Sequence, residues 1–161
     1  GAGDPTARRH AGSARRLAVI VLDTNVLSEA MRPNPDPRLA AWFAAQPRSR
    51  LWAASITEAE ILVGIALLPP GQHRDVLGAQ AKAMFEVDLA GRVLPFGRDA
   101  AAECARLFAA RRRGGRPIVP ADATIAATAL AAGATLFATR NTRDFEGLGL
   151  RLLDSWAGAA S

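Results

Sequence analysis

The 161-residue chain has one cysteine, two histidines, one lysine and no tyrosine. Each shortage removes a class of chemistry. A lone Cys104 excludes an intramolecular disulfide and any cysteine-based zinc cluster. His10 and His73 are too few for a histidine-rich metal site. Aromatic residues make up 6% of the chain, which argues against a broad platform for stacking single-stranded bases. No apolar run approaches the roughly 20 residues of a membrane-spanning helix. What the chain does have is apolar bulk. Half of it is hydrophobic, enough for one domain-sized core without disulfides or a structural metal. A soluble, cytoplasmic protein is the natural expectation.

The formal net charge is +5, and much of it is local. Arg8, Arg9, Arg15 and Arg16 face only Asp4 in the first sixteen residues, so bulk charge is weak evidence for a nucleic-acid partner. Residues 1–16 are small, polar and arginine-bearing, without the apolar stretch of a secretory signal. They read as a disordered tail or upstream extension, followed by a single domain over residues 17–157 and a short tail at 158–161.

Within that domain, apolar strands alternate with helical patterns. Leu17–Leu22 is a continuous apolar run, as in a strand buried on both faces. A short helix is expected from Asn25 to before Pro33, and another ends near Gln46. Leu51–Ala54 reads as a second strand. A helix capped by Ser55 or Thr57 then runs to about Leu68 and stops at Pro69-Pro70-Gly71. Residues 72–87 form a further helix, Arg92–Phe96 a short strand, and residues 98–113 a helix broken by Gly114-Gly115. Pro120 suits the first position of a helix ending at Gly133. Thr135–Ala138 and Leu150–Leu153 are the last strands. Such alternation predicts an α/β domain with a mostly parallel sheet, whose ligand site lies at the strand C-termini.

Four acids fall on that edge: Asp23, Glu60, Asp122 and Asp144. Each has a plainer explanation. Asp23 can open a turn. Thr57-x-x-Glu60 is a capping-box pattern, and so is Ser55-x-x-Glu58. Asp122 suits the positive end of a helix dipole. Asp144 sits in a polar loop. Their conjunction is harder to dismiss, because converging carboxylates repel one another unless a cation offsets the charge. An all-oxygen set favours a hard ion such as Mg²⁺ or Mn²⁺, able to activate water and stabilise a phosphate oxygen. Thr24, Asn25, Thr139 and Asn141 supply neutral groups that orient carboxylates and bound water. For Asn25 a helix N-cap is the alternative.

The segments Val21-Leu-Asp23-Thr-Asn25, Ser55-Ile-Thr-Glu-Ala-Glu60, Pro120-Ala-Asp122-Ala-Thr and Ala138-Thr139-Arg-Asn141-Thr-Arg-Asp144-Phe145 resemble the four signature segments of PIN-domain ribonucleases. The resemblance is to VapC toxins of type II toxin–antitoxin pairs, including the FitB-like branch, and runs from about Val19 to Trp156. It implies a three-layer α/β/α fold with a central, mostly parallel sheet. It also implies Mg²⁺- or Mn²⁺-dependent endonucleolytic hydrolysis of RNA, homodimerisation and neutralisation by a VapB-like antitoxin. Asp23, Glu60 and Asp122 match the first three acidic positions, with Asp23 and Asp122 as direct metal ligands and Glu60 completing the site through the metal or its water. At the fourth, Asn141 stands where many relatives carry an acid, and Asp144 follows three residues later.

Arg116, Arg140 and Arg143 are candidates for holding RNA phosphates. Arg111 and Arg112 read more simply as cations at a helix C-terminus. Leu39, Trp42, Phe43, Ile61 and Ile65 are candidates for gripping an antitoxin helix, with ordinary core packing as the alternative. A haloacid-dehalogenase-type phosphatase is disfavoured because it requires an acid where Asn25 stands. A receiver domain is disfavoured because Lys82 lies in no matching pattern. A non-catalytic RNA- or protein-binding PIN-like module, with a metal site weakened at Asn141, is the remaining alternative.

Overall fold

The first strand, β1 (Ile20–Leu22), is buried on both faces and lies at the centre of a five-stranded sheet. The computed structural model describes residues 19–157; the expected tails, residues 1–16 and 158–161, lie outside the described residues. The strand order is β3 (Val93–Leu94), β2 (Leu51–Ala54), β1, β4 (Leu136–Ala138), β5 (Leu152–Leu153). Every pairing is parallel. Alternation along β1 explains its uninterrupted apolar sequence. Ile20 and Leu22 join the core on one face and Val21 the core on the other.

Helices cover both faces, giving three layers. On the Ile20 side lie α1 (Thr24–Ala30), α2 (Pro37–Ala45), α3 (Ser55–Ala66) and α4 (Gln72–Ala83), contributing Leu27, Leu39, Ile61 and Ala81. On the Val21 side lie α5 (Arg98–Arg113), α6 (Pro120–Ala131) and α7 (Thr142–Phe145), contributing Leu107, Ile125 and Phe145. The alanine-rich α6 lets α5 and the sheet approach closely, and its Ala123, Ala126, Ala127 and Ala129 are all buried. Gly133, at φ +68°, ends this helix in the left-handed region. Among the described residues, no helix is long and apolar enough to cross a membrane.

Several local expectations are corrected. The expected strand 92–96 pairs only at Val93–Leu94. The helix expected over 72–87 widens into a π-helical turn at Met84–Asp88. Neither Ser55 nor Thr57 caps α3. Strand β2 runs straight into the helix, the cap position is Ala54, and no side chain caps it. Asp144 lies in the one-turn helix α7 rather than in an irregular loop.

Candidate active site

Parallel register builds the centre of the site. Leu22 pairs with Ala138, so the residues that follow, Asp23 and Thr139, emerge side by side at the strand C-termini. The chain order reverses here: β2 lies on one side of β1 and β4 on the other, which is where open α/β sheets form a ligand crevice. The Thr139 hydroxyl donates to Asp23 Oδ2 at 2.8 Å, and the Thr24 backbone N–H donates to Asp23 Oδ1 at 2.8 Å. Asp23 is thus both the N-cap of α1 and a carboxylate only 5% exposed. Burial raises its pKa, the Thr139 and Thr24 hydrogen bonds oppose the rise, and the charges of Glu60 and Asp144 add to it.

Glu60 comes from the second turn of α3. Its Oε1 accepts a 2.9 Å hydrogen bond from the Thr24 hydroxyl. It makes no capping box with Thr57, whose buried hydroxyl has no hydrogen-bond partner among the described residues. Asp122 lies half-buried in the first turn of α6. Burial, then the charges of Asp23, Asp144 and Glu60, push its pKa up to about 6. These mutual effects bring together all four acids singled out in the sequence.

The neighbouring polar groups tie the strand ends together. Asn25 does not cap α1. Its Oδ1 accepts from the Arg140 backbone N–H at 3.3 Å, linking α1 to the chain after β4. The Asn141 N–H donates to Thr139 Oγ1 at 3.0 Å. One threonine hydroxyl therefore bridges Asp23 and Asn141. The Asn141 side chain is exposed and makes no cap on α7, although Asn141 holds that position.

The arginines divide by contact. The Arg140 guanidinium lies over the Trp156 ring, 5.0 Å from its centroid. Arg116 reaches the carbonyl of Arg143 at 3.4 Å and the Glu146 carboxylate at 3.9 Å. The Arg143 side chain is exposed on α7. Arg111, read from the sequence as a helix-end cation, instead donates to the carbonyls of Asp144 and Glu146 at 2.8 and 2.7 Å. No local sequence signal marks that bond, because its acceptors are 33 and 35 residues away.

Of the apolar residues expected to grip a partner, Leu39, Trp42 and Ile61 are buried in the core, and Phe43 and Ile65 pack partly against it. Different side chains face outward from α3 and its C-terminal cap: Leu62, Val63 and, at 80% exposure, the cap residue Leu67. A groove of about 440 Å³ runs between α1, α3 and α4. Ile61, Ile65, Leu68 and Leu77 line it, and Thr24 and Glu60 lie at its edge.

The donor set fits a hard divalent cation. All the converging groups are oxygens, and burial with the neighbouring carboxylate charges raises the pKa of Asp23 and Asp122, a cost that a cation would offset. Among the described residues, no three acidic, histidine or cysteine side chains are drawn into a closed ligand cage. Asp23 and Asp122 are two acids of the set whose pKa is raised, and Glu60 is oriented by Thr24.

The sequence pattern of the PIN domain matches residues 20–149, and the chain belongs to the PIN-domain family. It is 42% identical over 138 residues to the VapC ribonuclease Y4jK of Sinorhizobium fredii, spanning 86% of this chain and 98% of that protein. It is 36% identical over 138 residues to Toxin FitB of Neisseria gonorrhoeae, spanning 86% of this chain and 99% of that one. The crystal structure of FitAcB from Neisseria gonorrhoeae matches with a TM-score of 0.76 at 35% identity, covering 86% of this chain and 99% of that chain. These similarities put the chain in the VapC and FitB toxin branch of the family.

Proposed function

We propose that this chain is the toxin of a toxin–antitoxin pair and a Mg²⁺- or Mn²⁺-dependent endoribonuclease. The observation that carries the reading is geometric: Thr24 and Thr139 hold Asp23 at the strand C-termini, the Thr24 hydroxyl holds Glu60 beside it, and Asp122 and Asp144 line one cleft. Similarity to a VapC ribonuclease supports RNA as the substrate.

A bound divalent ion supplies activation of water and neutralisation of charge on a phosphodiester. The protein's part is orientation. Thr139 and the Thr24 N–H fix both oxygens of Asp23. The Thr24 hydroxyl fixes Glu60. Asp122 stays ionised at neutral pH, where it holds positive charge or the proton of an attacking water. The exposed Arg143, with Arg116 and Arg140 nearby, gives the phosphate backbone an approach to the acidic crevice. In-line hydrolysis there leaves a 5′-phosphate and a 3′-hydroxyl.

The α1–α3–α4 groove suits a VapB-like antitoxin segment, because it joins an apolar lining to Glu60, which a basic side chain on that segment would meet. The outward Leu62, Val63 and Leu67 suit self-association into a homodimer. FitA–FitB and VapB–VapC assemblies among the structural relatives support the antitoxin reading.

The test incubates an RNA pool with the protein, with and without Mg²⁺ or Mn²⁺, beside Asp23→Asn and Asp122→Asn. Metal-dependent cleavage lost in both variants is expected. Cleavage that survives EDTA or both substitutions refutes the mechanism. RNA binding without cleavage under every condition favours a binding module.

A further inference from the structure

We propose that Arg111 is a positioning residue for the acidic site: from the last turn of α5, its guanidinium fixes the α7 turn so that Asp144 faces Asp122. The metal arm of the test rests on the nuclease reading above; the structural arm does not.

A helix of four residues cannot hold itself, since nucleation costs more than one turn of hydrogen bonds returns. Its terminal carbonyls also lack partners within the helix. In α7 they are satisfied from outside. One Arg111 nitrogen donates to both Asp144 O and Glu146 O, at 2.8 and 2.7 Å. At the N-terminal side of α7 the Asn141 carbonyl accepts from the Asp144 N–H at 3.0 Å, and the Asn141 N–H donates to Thr139 Oγ1 at 3.0 Å. Phe145 anchors the turn in the core, its ring centroid 4.6 Å from that of Phe137.

A single buried ring sets the depth of a turn and leaves its rotation free. The two Arg111 bonds supply a fixed point at the turn's C-terminal end. Rotation is what matters at this position, because Phe145 points inward while the adjacent Asp144 is exposed and must be aimed. Arg111 also lines, with Asp122 and Asp144, a cleft of about 90 Å³ that Ile118 helps to close. It is half-buried, whereas Arg112 and Arg113 beside it are exposed. Arg116 reinforces the turn through a longer contact to Arg143 O.

The experiment compares wild type with Arg111→Ala, Arg111→Lys and Arg106→Ala. The last removes the same charge from α5 at an exposed residue paired with Glu103. The readouts are amide hydrogen exchange over residues 142–147, Mn²⁺ affinity by electron paramagnetic resonance, and the Mg²⁺ concentration giving half-maximal RNA cleavage.

Arg111→Ala is expected to speed exchange in that segment by about tenfold while the exchange of β1 and α6 is unchanged. It is expected to weaken Mn²⁺ binding by about tenfold, with cleavage recovering at high metal. Arg111→Lys, with a single ammonium in place of the planar fork, should fall between, and Arg106→Ala should match wild type. Wild-type exchange at residues 142–147 in Arg111→Ala overturns the proposal. So does wild-type Mn²⁺ affinity combined with a raised KM for RNA, which would make Arg111 a phosphate ligand instead. A wild-type protein that neither binds Mn²⁺ nor cleaves RNA defeats the nuclease reading, and the exchange result then decides the role of Arg111 on its own.

Discussion

Replacing Asp122 with Asn should abolish cleavage and, in the absence of metal, make the protein more stable. Burial and three neighbouring carboxylates push the pKa of Asp122 from 3.8 up to about 6. A rise of about two units at ~1.36 kcal/mol each sets a ceiling of about 3 kcal/mol on the cost of ionising it in the folded state. The group is half-buried, and solvent screening lowers that to about 1–2 kcal/mol. The sign follows from proton counting. A carboxyl whose folded pKa exceeds its unfolded one binds more protons when folded, so stability falls as pH rises between the two values. The penalty is absent below about pH 4, grows toward about pH 6 and is constant above about pH 7. The uncharged amide introduced by Asp122→Asn carries no such penalty.

Thermal unfolding in EDTA at about pH 7.5 should therefore show Asp122→Asn melting about 2–8 °C above wild type, with the difference closing near pH 4. Added Mg²⁺ should raise the wild-type midpoint and leave the variant unmoved, since only the wild type binds it. A variant that melts at or below wild type in EDTA, or a gap that persists on acidification, refutes the idea that these carboxylates repel one another until a cation arrives.

Other consequences are separately measurable. Protons should compete with metal at Asp122, so Mn²⁺ affinity measured by calorimetry should fall about tenfold per pH unit below about 6; a flat profile would remove Asp122 from the ligand set. Thr139→Val should cost about 1–3 kcal/mol in urea unfolding, because the buried Asp23 Oδ2 and the Asn141 N–H both lose their partner; an unchanged midpoint would mean that other groups hold Asp23. Leu67→Glu should leave stability within about 0.5 kcal/mol of wild type yet lower the sedimentation coefficient; an unchanged oligomer would exclude the outer face of α3 as the self-association surface.

What the sequence made legible depended on how locally each feature is determined. β1 could be read because burial on both faces demands an unbroken apolar run, and α5 because glycines flank a long helical pattern. Parallel order then predicted which ends of the strands carry the acids, and Asp23 and Thr139 meet there through register alone. The errors came from patterns that tertiary structure reassigned. Thr57-x-x-Glu60 has a capping-box spelling, but β2 passes into α3 without a loop, so Thr57 falls inside the helix and Glu60 turns to Thr24. Asn25 yielded the cap of α1 to Asp23. Four residues are too few to show a period, so α7 was invisible, as was the arginine that fastens it from 33 residues away. From Ile61 to Leu68 every side chain is apolar, and only packing reveals that Ile61 faces in while Leu67 faces out.

On the reading proposed above, the four acids form a divalent-metal centre. Calorimetric titration of the metal-free protein with Mn²⁺ at neutral pH tests it most directly, alongside Asp23→Asn checked for an intact fold by circular dichroism. Saturable binding by the wild type that disappears in folded Asp23→Asn is the predicted result. No binding by the wild type, or equal binding by the variant, would contradict it.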